Sequence, residues 1–447
     1  ENYDFRPLPG SELVDTGVIV DAITDGFIGD APDQGAYEYG GEMWVPGISW
    51  DISEVFGDEF SEPEPLYNGS LFHVSINGSN NNDGSIDNPF SSIQFAYDRA
   101  DEQDTILVHP GVYYDDIWFY GKNVVLGSLF LTTGDTSFLS STIIDGDSTD
   151  CTIAIYGNID STCRITGFTI QNGIGCVYGQ GAGIYVESAS PRLDNLIIKN
   201  NISGTNGGGI CLNGNSNSLI DKVLIKNNSA DVGGGLYSFN SNPVITNSII
   251  QNNHANNGAG VFLELCSPNF ENVSITDNNA ISSGGGIYCG LTSCPVLNHV
   301  TISNNSASSG GGILSIQNSQ PMFSNSILWG DAPEEIISDP DSITIVYSNI
   351  QGGWQGSGNI NQDPLFCMIE DGDYALAENS PCLESGENGV NMGAFGIGCL
   401  TINFPPSEFS LISPENNYQL FIEENNENQS LLFRWEMSED ENEDSLI

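Results

Sequence analysis

The stretch GGGLYS at residues 233–238 decides the fold, because close copies of it recur at an almost constant interval. The six copies GAGIYV, GGGICL, GGGLYS, GAGVFL, GGGIYC and GGGILS begin at residues 181, 207, 233, 258, 284 and 310, which gives intervals of 26, 26, 25, 26 and 26 residues. Glycines before alternating apolar residues are typical of a tight turn that leads into a strand. A period near 25 with short strands and no helix predicts a solenoid of stacked parallel strands.

A second motif runs in step with the glycine motif. The segments LIIKNN, VLIKNN, SIIQNN, SITDNN and TISNN place one asparagine at the same point of five repeats, namely Asn201, Asn228, Asn253, Asn278 and Asn305. Because neighbouring rungs of such a solenoid lie about 4.8 Å apart, an Asn amide, both donor and acceptor, can bond the same turn of the next rung. We therefore expect these five residues to form a structural ladder.

The segment NPFSSIQFAYDRAD upstream of the repeats predicts a capping helix. Phe90, Ile93, Ala96, Tyr97 and Ala100 have helical spacing on one apolar face, which would cover the open end of the first rung. The crossover rule for parallel strands makes the solenoid right-handed. The predicted fold class is therefore all-β, a right-handed parallel β-helix of roughly ten coils with an N-terminal capping helix.

The composition restricts the partners. The formal net charge is −50, from 9 Lys and Arg against 59 Asp and Glu. Such an acidic surface repels phosphate backbones and anionic lipid, so we expect no nucleic acid partner. The sequence has no apolar run of about 18 residues, so we also expect no membrane insertion. The chain is expected to be a monomer.

The resemblance to a known group extends over residues 71–400. HVSINGSNNNDGSIDNPFSSIQFA, DTILVHPGVYY, GFTIQNG and VYSNIQGGWQGSGNINQDPLF resemble segments of secreted right-handed parallel β-helix proteins of the pectin-lyase-like superfamily. This superfamily contains lyases, glycosidases and adhesins, so the resemblance implies a fold and an extracellular or cell-surface location rather than one activity.

The same resemblance implies the domain layout. GSELVDTG and PDQGAYEYGG near the start parallel NSPCLESG and NMGAFGIG near residue 400, so residues 1–41 are interpreted as the C-terminal tail of a preceding β-helix. Residues 42–70 are interpreted as an acidic linker and residues 71–400 as the β-helix. Residues 401–447, with Trp435 in an alternating run, resemble a truncated fibronectin type III-like or immunoglobulin-like sandwich.

A basic cluster is the first candidate site. Arg164, Arg192, Lys199 and Lys226 fall in equivalent positions of neighbouring repeats, as do Asp194 and Asp221. A lyase for acidic polysaccharide would use an Arg or Ca²⁺ to neutralise a uronate carboxylate and a Lys of depressed pKa as the base. The two Asp would help to hold the calcium ion, which is the one cofactor that we consider. The alternative is an ion ladder on a solvated face, in which Arg192 simply pairs with Asp194.

An aromatic column is the second candidate site. Tyr185, Tyr237, Phe262 and Tyr288 each follow an inward apolar residue, so strand alternation predicts exposed rings that stack on sugars. Glu187 and Glu264 share that side and would bond sugar hydroxyls. The alternatives are that the rings stack on each other for stability, or lie under a loop.

The ten cysteines permit disulfides. Cys266 and Cys294 occupy nearly equivalent places in neighbouring repeats and are candidates for a bridge. Cys367, Cys382 and Cys399 cluster near the end of the β-helix. The alternative is that several are buried thiols.

The preferred hypothesis is a non-enzymatic extracellular module that binds polysaccharide or acts as an adhesin-type repeat. The alternatives are a Ca²⁺-dependent lyase on uronate glycans, which is the class we expect if the protein is an enzyme, and a structural spacer in a large surface protein.

Overall fold

The computed structural model describes residues 70–340, 342–369 and 372–400, together with two short antiparallel strands, Leu411–Ser413 and Arg434–Trp435. The predicted tail at residues 1–41, the linker at residues 42–70 except its last residue, and the rest of the predicted sandwich at residues 401–447 lie outside the described residues. The described part is dominated by parallel strands that stack into a solenoid of about ten turns, as predicted.

Two long sheets form the walls of the solenoid. Sheet A has fifteen strands: Leu71–Val74, Thr105–Val108, Gly111–Tyr113, Val125–Ser128, Thr142–Asp145, Arg164–Gln171, Arg192–Lys199, Leu219–Lys226, Val244–Gln251, Asn269–Thr276, Val296–Ser303, Met322–Ser324, Ile327–Trp329, Thr344–Val346 and Asn349–Ile350. Sheet B has nine strands: Ile117–Tyr120, Ile153–Tyr156, Ile184–Glu187, Ile210–Asn213, Leu236–Phe239, Val261–Glu264, Ile287–Gly290, Ile313–Ser315 and Ile336–Ser338. A third face carries the strands His254–Asn257 and Asn279–Ser283.

Each rung turns at residues that adopt the left-handed backbone conformation. In the rung that starts at Val244 these are Asn247 with φ 46°, Asn252 with φ 55° and Gly258 with φ 59°. Asparagine and glycine are the residues that enter this region at least cost. The Asn pairs and Gly triplets of the repeat therefore mark two corners, while Asn247 marks a bend inside the long strand of sheet A.

Apolar side chains fill the inside in continuous columns. The six residues that follow the glycines in sheet B lie in register and are fully buried: Ile184, Ile210, Leu236, Val261, Ile287 and Ile313. Matching columns from sheet A, such as Ile198, Ile225 and Ile250, face them across the core. Each rung buries its apolar face against the rungs on both sides, which is how a solenoid gains stability.

The predicted asparagine ladder is confirmed. The Oδ1 atom of Asn253 accepts from the backbone N and the Nδ2 of Asn228, at 3.0 and 3.1 Å. Asn201, Asn278 and Asn305 repeat this pattern on their neighbours. All five side chains are buried, so each hydrogen bond satisfies a group that water cannot reach.

A helix covers the upstream end of the solenoid. The predicted capping helix spans Ile93–Arg99 and buries Ile93, Ala96 and Tyr97. Ser92 is its N-cap, and the side chain of Ser92 accepts from the backbone N of Phe95. Two short helices, Phe130–Thr133 and Ser137–Ser141, follow, and 3-10 turns lie at Val177–Gly179 and Glu387–Gly389. None of the helices in the described part of the chain is long and apolar enough to span a bilayer.

The closing segment near residue 400 forms a three-stranded sheet, Phe366–Met368, Asp373–Ala377 and Ile397–Cys399. Cys367 and Cys399 form a disulfide within it, while Cys382 is a buried thiol. The candidate bridge between Cys266 and Cys294 is not formed, and both residues are thiols. Backbone N of Cys294 instead donates to the carbonyl of Cys266, and the Cys266 thiol lies against Ser293 and the carbonyl of Ser238.

Candidate functional site

The outer face of sheet B carries two parallel columns of side chains. We call the first the ring column; in register it contains Trp118, Ala154, Tyr185, Cys211, Tyr237, Phe262, Tyr288 and Leu314. We call the second, two residues further along each strand, the polar column; it contains Tyr120, Tyr156, Glu187, Asn213, Phe239, Glu264 and Gly290. The predicted alignment of Tyr185, Tyr237, Phe262 and Tyr288, with Glu187 and Glu264 beside them, is therefore present.

The prediction that these rings are exposed is wrong for three of them. Tyr185, Tyr237 and Phe262 are only 3%, 7% and 6% exposed, and Tyr288 is half-buried. Phe262 stacks between Tyr237 and Tyr288 with interplanar angles of 12° and 11°. The middle of the ring column is thus a self-packed cluster.

Glycine turns explain how rings outside the core become buried. A Cβ at Gly258 would lie 2.9 Å from Cδ2 of Phe262, and one at Gly181 would lie 2.8 Å from Cδ2 of Tyr185. These two rings therefore lie over the glycine four residues before them. Strand alternation predicts the side of the sheet correctly but does not predict this collapse.

An exposed aromatic platform lies instead at the upstream end of sheet B. Trp118, Tyr120 and Tyr156 are parallel to within 13°, and their ring centroids lie 5.3–6.2 Å apart in all three pairs. Tyr120 is 58% exposed and the other two are half-buried. Because the three mutual distances are similar, the rings form a patch rather than a linear stack.

Sequence reasoning missed this platform because its strands precede the glycine repeats. Trp118 and Tyr120 lie in DDIWFY, which has no glycine triplet to align. The alternation of Trp118 and Tyr120 around the buried Phe119 was the available signal.

Polar groups continue from the platform along sheet B. Glu187 is next to Tyr156 in register and accepts from the hydroxyl of Tyr185 at 3.2 Å. Nδ2 of Asn213 donates to Oε1 of Gln180 at 3.0 Å. Glu264 lies further along, and burial raises the pKa of its carboxyl. These groups can bond hydroxyls of a ligand that lies along the sheet.

The basic cluster is confirmed in its register but not as one site. On adjacent strands of sheet A, Arg164 lies next to Arg192 in register. Lys199 likewise lies next to Lys226, and Asp194 next to Asp221. Asn195, with φ 50°, bends the strand between the arginines and the lysines. The seven-residue step from Arg192 to Lys199 spans about 20 Å. An arginine that bound a uronate carboxylate would therefore be far from either lysine.

The arginines belong to a buried ion pair. Nε of Arg164 lies 2.7 Å and Nε of Arg192 lies 3.0 Å from Oδ1 of Asp194, whose side chain is fully buried. Thr166 and Asn195 also donate to Asp194, at 2.8 and 2.7 Å. Burial alone would raise the pKa of Asp194, but the hydrogen bonds and charge of Arg164 outweigh it, so the pKa lies below its usual value.

These contacts disfavour the calcium site considered for Asp194 and Asp221. Both oxygens of Asp194 already accept hydrogen bonds beside two positive charges, which repel a cation. Oδ1 of Asp221 accepts from Thr246 at 2.7 Å and from Asn247 at 2.9 Å. The alternative of a paired ion ladder describes the arginine end of the cluster.

The lysine pair keeps one chemically unusual feature. Lys226 is partly buried beside Lys199, and burial, followed by the charge of Lys199, lowers the pKa of its ammonium group.

The geometry above agrees with a comparison against known families. Residues 128–306 match the family described as "Right handed beta helix region". The solenoid is a right-handed parallel β-helix. The predicted fold class is thereby confirmed, including the handedness of the coil over the matched residues. Residues 299–316 of this β-helix protein also match a repeat of the Chlamydia polymorphic membrane protein.

Solved structures with a similar trace include several β-helix enzymes. Pectate lyase Pel9A has a TM-score of 0.41 and 14% identity, over 74% of this chain and 96% of its own. XylC in complex with xylose has a TM-score of 0.37 and 11% identity, over 66% of this chain and 87% of its own. Pectin methylesterase PemA from Erwinia chrysanthemi has a TM-score of 0.35 and 12% identity, over 67% of this chain and 94% of its own. Identities this low say nothing about a shared activity. No curated protein matches the β-helix protein in sequence.

Proposed function

We propose that this β-helix protein is an extracellular or cell-surface module that binds a neutral polysaccharide along the outer face of sheet B. The observation that carries the proposal is the exposed patch of Trp118, Tyr120 and Tyr156, whose near-parallel rings present a flat apolar surface. Sugar rings have apolar C–H faces and stack on such surfaces, while their hydroxyls seek polar partners at the edge.

The position of the platform supports an extended ligand. Glu187 and Asn213 follow Tyr156 in register on the next two rungs, and Glu264 follows one rung after Phe239. A rung repeats about every 4.8 Å, which is close to the length of a hexose unit in a linear polymer. A chain of sugars that stacked on the platform would thus meet polar side chains along the sheet.

Charge argues for a neutral rather than an acidic glycan. The protein carries a formal net charge of −50, and Asp115 and Asp116 lie in the loop that enters the strand of Trp118. A uronate polymer would be repelled by this field at low ionic strength. The disulfide between Cys367 and Cys399 supports an oxidising location outside the cytoplasm.

The test is affinity electrophoresis of the full chain in gels that contain xylan, mixed-linkage glucan, galactomannan, pectate or alginate. We expect at least one neutral polymer to retard the protein, and Trp118→Ala to weaken that retardation about tenfold, the value of one aromatic contact of about 1.4 kcal/mol. Ile281→Ala, an exposed apolar residue on the third face, is the control and should bind normally.

Failure of every polymer to retard the protein would reject the binding proposal and leave the structural spacer. Retardation that Trp118→Ala does not change would reject the platform as the binding surface.

The lyase hypothesis is retained as a second candidate on one observation, the lowered pKa of Lys226 beside Lys199. It predicts a rise in ultraviolet absorbance from unsaturated uronate ends when pectate or alginate is incubated with the protein and Ca²⁺. Because the arginines are far from Lys226 and bound to Asp194, we expect no such rise. A rise that Lys226→Ala abolishes would replace binding with catalysis.

A further inference from the structure

The rung before the first glycine copy carries Asp150, Cys151 and Thr152 at the glycine corner. Register in sheet B places Ile153 opposite Ile184, so these three residues occupy the positions of Gly181, Ala182 and Gly183 in the next rung. Every later copy of the motif has only glycine or alanine there. The departure puts a carboxylate and a thiol at a corner that carries no functional side chain in the six glycine copies.

The next rung adds a second thiol at the same corner. Eight residues separate the turn residue Asn172 from Gly181, against five between the equivalent Asn227 and Gly233. The longer loop contains Cys176, whose backbone N donates to the carbonyl of Gln180 at 2.8 Å. A carboxylate oxygen of Asp150 and the Sγ atoms of Cys151 and Cys176 lie within 4.8 Å of one another.

The surroundings of this corner have the shape of a partly enclosed site. Cys151 is fully buried, whereas Asp150 and Cys176 are half-buried and leave one side open to solvent. The hydroxyl of Tyr156 is buried against Cys176 and has no oxygen or nitrogen partner. Neither cysteine is in a disulfide, although Cys367 and Cys399 of the same chain are.

The local charge is suited to a cation. Asp116 lies close enough to interact electrostatically with Asp150, Asp115 and Asp147, so several carboxylates converge beside the two thiols. A bound divalent ion would offset their mutual repulsion.

From this geometry we propose that Asp150, Cys151 and Cys176 form a binding site for a borderline-soft divalent cation of the Zn²⁺ type. Two thiolates and one carboxylate are ligands that zinc accepts, and three protein ligands leave a fourth tetrahedral position for water. Ligand sulfurs around tetrahedral zinc lie about 3.8 Å apart, as follows from Zn–S bonds of about 2.3 Å. The cluster therefore needs only a small contraction.

Binding is an exchange of protons for metal. One Zn²⁺ replaces the thiol protons of Cys151 and Cys176, two protons pass to solvent, and no electron is transferred. Affinity must then rise with pH. In the bound state the Tyr156 hydroxyl can donate to the Cys176 thiolate from outside the ligand shell.

The test uses the full chain, purified without chelator and kept reduced with a phosphine. Zn²⁺ is titrated in competition with a chromophoric chelator, and Cd²⁺ is titrated separately to follow thiolate-to-cadmium charge-transfer absorbance. We expect one equivalent of tightly bound metal, and at least tenfold weaker binding for Cys176→Ser and Asp150→Asn. Cys294→Ser, a half-buried cysteine several rungs away, is the matched control and should bind like the wild type.

Cys151→Ser is not decisive, because that side chain is buried and the change can affect folding. Three results would overturn the proposal: no stoichiometric metal in the reduced wild type, an unchanged affinity in Cys176→Ser, or a peptide map of protein isolated without reductant in which Cys151 and Cys176 are linked. The last result would identify the pair as a structural disulfide.

Discussion

Asp331 is the last residue of the asparagine ladder and lies one rung after Asn305. Its Oδ1 accepts from the backbone N of Asn305 at 2.6 Å and from Nδ2 of Asn305 at 2.9 Å, as each asparagine does for the one before it. Its Oδ2, however, is buried without a donor, and so is Oε2 of the adjoining Glu335. Burial, and then the charge of Glu335, raise the pKa of Asp331. A proton held between the two carboxyl groups would satisfy both oxygens.

Asp331→Asn is expected to stabilise the protein at neutral pH. The folded pKa of Asp331 exceeds its unfolded value of about 3.9, so the folded wild type binds more protons than the unfolded chain. The stability that this proton contributes is therefore present at low pH and is lost as pH rises through the folded pKa. Each unit of raised pKa corresponds to about 1.4 kcal/mol. Urea midpoints should favour the variant at pH 7.5 and converge with the wild type near pH 4.

The neighbouring Glu334→Gln is the control for this comparison, because that exposed residue has the same charge and lies three positions away. A difference between wild type and Asp331→Asn that stays constant with pH would contradict the shared proton.

Asn253→Ala should destabilise the middle of the ladder. The change removes the acceptor of Asn228 and the donors to Ile225 and Asn278, all of them buried. Buried groups left without partners cost about 1–3 kcal/mol each, so we expect a loss of at least 3 kcal/mol in the free energy of unfolding, measured by urea denaturation. Exposed Asn279 is the matched control; a similar loss in Asn279→Ala would show that the ladder bonds are not the cause.

The ladder also shows what the sequence could predict. Asn201 to Asn305 were found because one residue type recurs at one interval, and both the fold and the hydrogen bonds followed. Asp331 was missed because LWGDAPEE no longer carries the motif, although its distance of 26 residues from Asn305 fits the period. The interval of 26 residues persists where the residue changes from Asn305 to Asp331. The spacing of the ladder alone would therefore have located the last residue of the ladder.

Arg164→Ala should cost more stability than Arg192→Ala. Arg164 is 14% exposed and makes two bonds to the fully buried Asp194, whereas Arg192 is 31% exposed. Removing one partner of a buried pair costs about 3–5 kcal/mol, since the remaining charge is stranded. Equal losses in thermal unfolding of the two variants would contradict this ranking.

The same pair has a pH signature opposite to that of Asp331. The folded pKa of Asp194 lies below its unfolded pKa. The stability that the ionised Asp194 contributes is therefore present above the unfolded pKa and is lost as pH falls through the folded pKa. The penalty of Arg164→Ala should therefore shrink in acid.

The candidate site was harder to predict than the fold, for a physical reason. Tyr185 and Phe262 lie on the predicted side of sheet B, yet their exposure depends on how the rings lie over Gly181 and Gly258. The basic residues lie in the predicted register, yet the bend at Asn195 separates Arg192 from Lys199. Register follows from the repeat, whereas ring orientation and corner angles depend on contacts that no periodic pattern encodes.

Gly235→Ala should disrupt the stacking of two rungs. A Cβ there would lie 2.6 Å from the carbonyl oxygen of Gly260 and 2.8 Å from Cγ2 of Ile250, and neither can retreat without opening the solenoid. We expect a loss of about 3 kcal/mol or a failure to fold. Gly204→Ala is the matched control, since nothing lies within 4 Å of its Cβ, and it should unfold like the wild type.

A pair of ring substitutions separates support from recognition on sheet B. Tyr237 is buried between Cys211 and Phe262 in the ring column, so Tyr237→Ala should lower the free energy of unfolding by about 3 kcal/mol and leave glycan retardation unchanged at temperatures where the protein is folded. Tyr120, more than half exposed on the platform, should show the reverse: little change in stability and about tenfold weaker retardation by a neutral glycan. Both changes remove a tyrosine from the same face of the same sheet, so the loss of a tyrosine as such cannot explain a difference between the two variants. If Tyr237→Ala abolished binding in a folded protein while Tyr120→Ala did not, the ligand would lie over the ring column and the platform would be structural.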